Sequence, residues 1–336
     1  MNANIKTIPP ALLYGGLLIA LALLFFASLS AGKVWVPWDV WFAAGDDPRA
    51  SIIIDLRLPR TLLGIAVGVA LGTSGAALQG YTRNPLADPA VLGVSSMAAF
   101  GAVMTLYVSF YMSSATAAPW LMPAGAMIGA VVGVGVLLML SGGAASILTF
   151  VLAGMILNMV SSAGVALALN LAPTPWAVNE IINWLLGSLA DRSIGEVRMA
   201  VPFIALGCVL LFTTSRALDA LTLGDEGARS LGIDVNRTRL VLALGVGLAA
   251  GASVAVTGMI GFVGLVTPHL LRPWVGARPG ALLVPSALAG AVIVLAADIV
   301  VRLTPSPAEL KLGVAMAAVG GPFFLALLIK LRRRTA

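Results

Sequence analysis

The chain has 336 residues, of which 60% are hydrophobic and only 10% are charged, and its mean hydropathy is +1.02. These values exclude a soluble globular protein, in which about a quarter of the residues are charged. The net charge of +6 would also suit a nucleic-acid-binding protein, but in a membrane chain a basic excess collects in cytoplasmic loops, so we expect no nucleic-acid partner.

Long apolar runs define the predicted elements. About 20 apolar residues in a helix cross a bilayer core, and these runs lack the alternating pattern of an outer-membrane barrel. We therefore predict an all-α polytopic membrane protein with about ten spans, in a single domain over 1–336. The spans lie near 11–31, 59–79, 92–112, 120–140, 147–171, 198–214, 239–257, 260–275, 281–301 and 312–331. A short helix on the outer surface is expected near 178–190.

The first run is treated as a span, with a cleaved signal peptide as the alternative. Its apolar core is longer than the roughly 7–15 residues of a signal peptide. The seventh and eighth spans need a separate argument, because 239–275 as one helix would be about 55 Å long, too long for one crossing. Gly258, Gly261 and Gly264 lie in the middle of this stretch and predict a break.

The distribution of charge predicts the orientation. With both termini inside, the cytoplasmic side carries 12 basic and 5 acidic residues, and the outer side carries 8 basic and 9 acidic residues. This bias follows the positive-inside rule. The two-span interpretation of 239–275 also places the C-terminal KLRRR on the same side as residues 221–235, as the rule requires.

The stretch LTLGDEGARSLGIDV at 221–235, called the charged segment below, interrupts two apolar runs. We predict a short helix outside the bilayer on the cytoplasmic side, with coupling helices over about 216–236. Asp225 and Glu226 suit its positive N-terminus, and Gly232 suits its end. Leu223 and Leu231 are expected to pack into a groove on a partner. The alternative is a solvated loop helix without a partner.

Two arginines in RLPRTLL, Arg57 and Arg60, are three residues apart and share a helix face. They are predicted to lie at a helix N-terminus on the outer side, and both positions disfavour a positive charge. A carboxylate on a partner would explain them, and Arg302 at the outer end of the ninth span would join them. The alternative is internal pairing with Asp55 or Asp298.

The predicted span interiors carry almost no ionisable groups, whereas ion-coupled carriers keep such groups for function. His269 is interpreted as a packing or capping residue rather than a metal ligand, because no second His or Cys is nearby. None of the four lysines stands in a phosphate-binding Gly-Lys-Ser/Thr context. The chain is therefore not expected to be an enzyme, and any ATP hydrolysis must occur on a partner.

Three stretches together resemble a known family: RLPRTLLGIAVGVALGTSGAALQGYTRNPLADPAVLGVSS, LGDEGARSLGI and TGMIGFVGLVTPHLLR. They are similar to the permease subunits of ABC importers for iron–siderophore complexes, haem and vitamin B12, and the resemblance covers about 50–330. It implies the fold of a B12-permease-like type II importer. It also implies a second permease copy, two ATP-binding subunits inside and one periplasmic binding protein outside. The chain itself is expected to bind no cofactor, and ATP and Mg²⁺ are used by the partner ATPase.

The resemblance also implies roles for particular residues. It assigns Arg57, Arg60 and Arg302 to docking of the binding protein. Coupling to the ATPase is assigned to Leu223, Gly224, Asp225, Glu226, Ala228, Arg229, Leu231 and Gly232. The translocation path and gate are assigned to Ile147, Leu148, Met155, Asn158, Met159 and Ser162. Ile147 and Leu148 are bulkier than the small hydroxyl residues at the gate of the B12 permease, which argues against B12 as the cargo.

These observations predict the permease of an ATP-driven importer that carries a ferric siderophore or haem across the bacterial inner membrane. A B12 importer permease is the alternative within the family. An ion-coupled carrier or channel is the alternative from another class.

Overall fold

The computed structural model describes residues 9–335, apart from 38–39, 41–46, 48, 112–119, 143–145, 277 and 306–308; the side chains of 328 and 330–335 are also outside the description. The described residues form thirteen α-helices. These are α1 (Pro10–Ser30), α2 (Leu58–Thr82), α3 (Val94–Tyr111), α4 (Leu121–Ser141), α5 (Ile147–Asn170), α6 (Pro175–Leu185), α7 (Ile194–Thr213), α8 (Ser215–Ala220), α9 (Gly224–Ser230), α10 (Val235–Thr257), α11 (Val263–Leu271), α12 (Pro279–Leu303) and α13 (Leu312–Thr335).

The prediction of an all-helical membrane protein is confirmed. Eight helices of the described chain are long and apolar enough to cross a membrane. The short helix predicted near 178–190 is present but begins and ends earlier, at Pro175–Leu185. Thr174 caps its start by accepting a hydrogen bond from the Ala177 amide at 3.1 Å, and Gly187, with φ +69°, follows its end.

Helix α2 lies at the centre of the fold, and glycines bring its backbone close to its neighbours. A Cβ at Gly68 would lie 2.4 Å from the carbonyl oxygen of Gly290 on α12. A Cβ at Gly75 would lie 1.9 Å from the carbonyl oxygen of Gly264 on α11. Small residues allow helix backbones to approach closely in a membrane. Helix α2 therefore packs closely against α11 and α12 along its length.

The predicted eighth span, 260–275, is only partly helical and is not among the eight helices long enough to cross a membrane. Helix α10 ends at Thr257 and α11 begins at Val263, so α11 has nine residues and is only about 13 Å long. The residues between them, 258–262, are not helical. Gly258 and Phe262 both have positive φ values, +71° and +67°, which explains why the helix breaks here. The break predicted from the glycines is confirmed, although the helix predicted over 260–275 is much shorter.

Candidate functional site

The first turn of α2 is preceded by a turn of π-helix over Ile52–Arg57. Arg57 and Arg60 therefore do not lie at a helix N-terminus, and that part of the sequence argument was wrong. The reason is that Pro59 is compatible with the first turn of a helix but does not require the helix to begin there. Both arginines are buried, so their environment is set by packing rather than by solvent.

Asp298, on α12, is fully buried and binds two of the three predicted docking arginines. Its Oδ1 lies 2.7 Å from Nη2 and 3.0 Å from Nε of Arg60. Its Oδ2 lies 2.8 Å from Nη2 of Arg302. Arg302 also donates to the carbonyl oxygen of Ser28 at 2.9 Å and to the Ser28 hydroxyl. Internal pairing with Asp298, left open by the sequence, is thus present for Arg60 and Arg302.

Arg57 binds the end of α1 instead of a carboxylate. Its Nη1 donates to the carbonyl oxygens of Leu29 and Ser30, both at 2.9 Å, and its Nη2 donates to that of Val34 at 2.5 Å. The last carbonyls of a helix have no partner within the helix and carry partial negative charge. Arg57 therefore caps the C-terminus of α1. Asp55, the other internal partner considered, is exposed.

These arginines line a cavity of about 220 Å³, called the arginine pocket below. Its charged lining consists of Lys33, Arg57, Arg60, Asp191, Arg192, Arg302 and Glu309. Glu309 contacts Arg60 through its carboxylate. Burial lowers the pKa of Arg192, and the nearby carboxylates of Glu196 and Asp191 oppose that change. Glu309 and Arg192 were not predicted as site residues. Glu309 follows the predicted outer end of the ninth span and Arg192 follows the predicted outer-surface helix, so both were expected on the outer side.

The charged segment lies beyond the other end of α2 and is helical over Gly224–Ser230, as predicted. Asp225 and Glu226 occupy the first turn of α9, and Gly232, with φ +79°, follows its end. Leu223 is 68% exposed and Leu231 is 62% exposed. The two leucines therefore present apolar surface that the described part of the chain leaves open.

Not every residue predicted for coupling lies on that surface. Ala228 is fully buried and contributes to the core, because it lies on the face of α9 that packs against the rest of the chain. Arg83, which follows α2, donates from Nη2 to Oδ1 of Asp225 at 3.1 Å, and both side chains are partly exposed. Helix α2 thus begins beside the arginine pocket and ends at the charged segment.

Helix α5 carries all the residues predicted for the path and gate. Leu148, Met155, Met159 and Ser162 are exposed, whereas Ile147 and Asn158 are half-buried. The Oδ1 of Asn158 accepts a hydrogen bond from the Ser96 hydroxyl on α3 at 2.5 Å. Asn158 therefore fixes α5 against α3 and presents only part of its side chain to the open face.

His269 packs against an aromatic ring, with its ring centroid 5.9 Å from that of Phe323 at an interplanar angle of 75°. This contact agrees with the interpretation of His269 as a packing residue. Cys208 is a buried free cysteine on α7.

Comparison with known proteins places this geometry in context. A model of the FecCD transport family matches residues 19–330. The chain is 36% identical to the hemin transport system permease protein HmuU of Yersinia pestis, over 99% of both chains. It is 38% identical to the vitamin B12 import system permease protein BtuC of Shigella boydii, over 94% of both chains.

A solved structure described as a metal-chelate type ABC transporter in an inward-facing conformation has the same fold. It superposes with a TM-score of 0.83 at 30% sequence identity, and the match covers 96% of this chain and 99% of that one. The likeness therefore extends over nearly the whole of both chains.

Proposed function

The chain belongs to the FecCD transport family, and we propose that it forms the membrane path of an ATP-driven importer whose cargo is a ferric siderophore or haem. It is an integral membrane protein and a transport subunit. A separate ATPase supplies the energy, and ATP and Mg²⁺ are bound by that partner and not by this chain.

The observation that carries the proposal is the exposed apolar pair on the charged segment. Leu223 and Leu231 flank a helix whose first turn is acidic, and both leucines are mostly exposed among the described residues. An exposed apolar patch with a polar rim is typical of a protein–protein contact, and these two leucines would form one if a partner bound across α9. The charged segment is the surface that receives the ATPase, through Leu223, Glu226 and Arg229, with Gly224 and Gly232 setting its turns. Asp225 is held from within by Arg83.

At the opposite end, the arginine pocket is the surface that receives a substrate-binding protein. Arg57 is buried among main-chain carbonyls, and basic side chains outnumber acidic ones in the cavity lining. A carboxylate of the binding protein would complement this charge. Arg60 and Arg302 are held by Asp298, so they contribute a fixed positive surface rather than long mobile side chains.

A second copy of the chain completes the path. Helix α5 is largely exposed in the single chain, as are α1 and α7, whereas α2 and α10 are largely buried. Non-helical backbone at membrane depth is tolerated only where protein covers it or where it lines a water-filled cavity. Met259 and Gly261, in the break before α11, are exposed. These features favour an interface between two copies, with α5 lining the path between them and two ATPase subunits below.

The lining of α5 suits a bulky cargo that binds weakly in transit. Its exposed side chains are apolar or neutral, with Met155, Met159 and Ser162 along the helix and Leu148 at its start. A path without charges holds no cargo tightly. The exposed and bulky Leu148 also makes B12 a less suitable cargo than haem or a ferric siderophore.

We expect both termini and the charged segment to be cytoplasmic in the bacterial inner membrane. Single cysteines at Ser230, in α9, and at Asn179, in α6, should be labelled from opposite sides of the membrane by an impermeant maleimide. Cys208 is buried and contributes little background. Labelling of the Ser230 position from outside in intact cells would overturn this orientation. Ala115, the outer labelling position that the sequence-based topology predicts, lies outside the described residues.

The experiment that tests the function is uptake into proteoliposomes containing the permease, an ATPase subunit and a binding protein. We expect uptake of haem or a ferric siderophore that requires internal ATP and the binding protein, with little uptake of cobalamin. Cobalamin as the preferred cargo would select the alternative within the family. Uptake that persists without ATP and collapses with an ionophore would select the ion-coupled carrier.

A further inference from the structure

Two carboxylates bind Arg60, and they differ in how firmly they are held. Asp298 is fully buried, and its two oxygens are shared between Arg60 and Arg302 at 2.7–3.1 Å. Glu309 is 32% exposed at its side chain and contacts only Nη2 of Arg60 among the pairs formed by described residues. Asp298 therefore lies buried behind the pocket lining, whereas Glu309 is part of the lining and is partly exposed.

The pocket has an unbalanced charge. Five basic side chains, those of Lys33, Arg57, Arg60, Arg192 and Arg302, and two acidic ones, those of Asp191 and Glu309, line it. Two further carboxylates pair with this lining from outside it, Asp298 with Arg60 and Arg302 and Glu196 with Arg192, so basic side chains outnumber acidic ones by one. A buried guanidinium such as that of Arg60 favours a carboxylate partner, because charges removed from water need one.

We propose that Glu309 is a replaceable partner of Arg60 in the arginine pocket. When the binding protein docks, one of its carboxylates takes the position that the Glu309 carboxylate occupies on Arg60. This inference rests on the proposed function. Asp298 cannot be exchanged in this way, since it is inaccessible and both its oxygens are in use. Glu309 can move away and leave Arg60 still paired with Asp298, so exchange strands no buried charge.

The exchange has a consequence for affinity. An incoming carboxylate must compete with Glu309 for the same guanidinium nitrogen, so the internal contact weakens docking. Release of the binding protein after delivery is correspondingly favoured, because Glu309 can return to Arg60. Without Glu309, docking should become tighter, which is the opposite of what loss of a structural residue would do.

The test is the substitution Glu309→Gln, made in the permease assembled with its ATPase in nanodiscs. The probe is the binding protein that supports ATP-driven uptake in the proteoliposome experiment above. We expect its dissociation constant to fall about two- to fivefold, the range set by removing one partly exposed ion-pair competitor. The shorter Glu309→Asp should tighten docking by a smaller factor, and it keeps the charge if the amide variant folds poorly.

The matched control is Asp191→Asn, which also removes one negative charge from the pocket lining. The Asp191 carboxylate interacts electrostatically with Arg192 rather than with Arg60. We expect a clearly smaller change in docking than with Glu309→Gln. Equal tightening in both variants would show that only the overall charge matters and would overturn the exchange. Unchanged or weaker docking in Glu309→Gln, with normal uptake by the wild-type importer, would overturn it too and leave the proposed function standing.

Discussion

The two ends of α2 both carry charged residues, but the structure places those charges differently. At the arginine pocket, Arg57, Arg60, Arg302 and Asp298 are buried and bind atoms of this chain. At the charged segment, Glu226 is exposed, and the Arg83–Asp225 pair is partly exposed.

The difference shows that burial decides whether a charged residue contributes to the stability of this chain or is left available for a partner. A buried ion pair that loses one partner leaves an uncompensated charge, whereas exposed charges contribute little to stability. Substitutions of the buried arginines or of Asp298 should therefore lower the stability of the permease as well as docking. Substitutions on the exposed face of α9 should change only what the permease binds.

The largest effect is expected for Asp298→Asn. Loss of this carboxylate leaves Arg60 and Arg302 as neighbouring buried cations without the group that separates them. We expect a loss of about 3–5 kcal/mol of stability, by analogy with other broken buried pairs. Thermal unfolding of the purified permease, followed by tryptophan fluorescence, measures this loss.

Asp55→Asn is the matched control, since Asp55 is an exposed carboxylate three residues after Ile52 at the same end of the molecule. Its unfolding midpoint should equal that of the wild type. If Asp298→Asn were equally harmless, the buried pairs would not hold the pocket together.

A smaller effect is expected for Arg57→Ala. The substitution removes three hydrogen bonds to main-chain carbonyls and leaves the end of α1 without its cap. Buried polar groups left without partners cost about 1–3 kcal/mol. We expect destabilisation in this range together with weaker docking of the binding protein. A normal unfolding midpoint with weaker docking would show that Arg57 serves the partner alone.

The effect should be smaller still for the pair between α2 and α9. Arg83→Ala removes an ion pair whose two side chains are 42% and 34% exposed. Such pairs contribute about 0.2–1 kcal/mol, and salt screens them. We expect the difference from wild type in thermal unfolding to disappear in about 1 M salt. A difference that persists there would indicate a packing role for the Arg83 side chain.

Much of the fold could be predicted from the sequence, because apolar runs of membrane length have few alternative structures. The glycine break after Thr257 was predictable for a similar reason, since three glycines at a spacing of three seldom continue a membrane helix unbroken. The helical charged segment followed from its acidic start and its final glycine.

The arginine pocket could be predicted only in part. The sequence named Asp298 as a partner, but it could not choose between Asp298 and Asp55, because that choice depends on how α2 packs against α12. Capping of α1 by Arg57 joins residues 28 positions apart, and the contact between Arg60 and Glu309 joins residues 249 positions apart. Such contacts depend on tertiary packing, which local patterns do not encode.

The central claim is that exposed charge on α9 serves a partner, and Glu226→Arg tests it most directly. The substitution reverses one exposed charge in the first turn, so stability should change by less than about 0.5 kcal/mol. Thermal unfolding and ATP-driven uptake are measured on the same preparation. We predict an unchanged unfolding midpoint with uptake reduced at least tenfold. Wild-type uptake, or a midpoint that falls in step with uptake, would contradict the account.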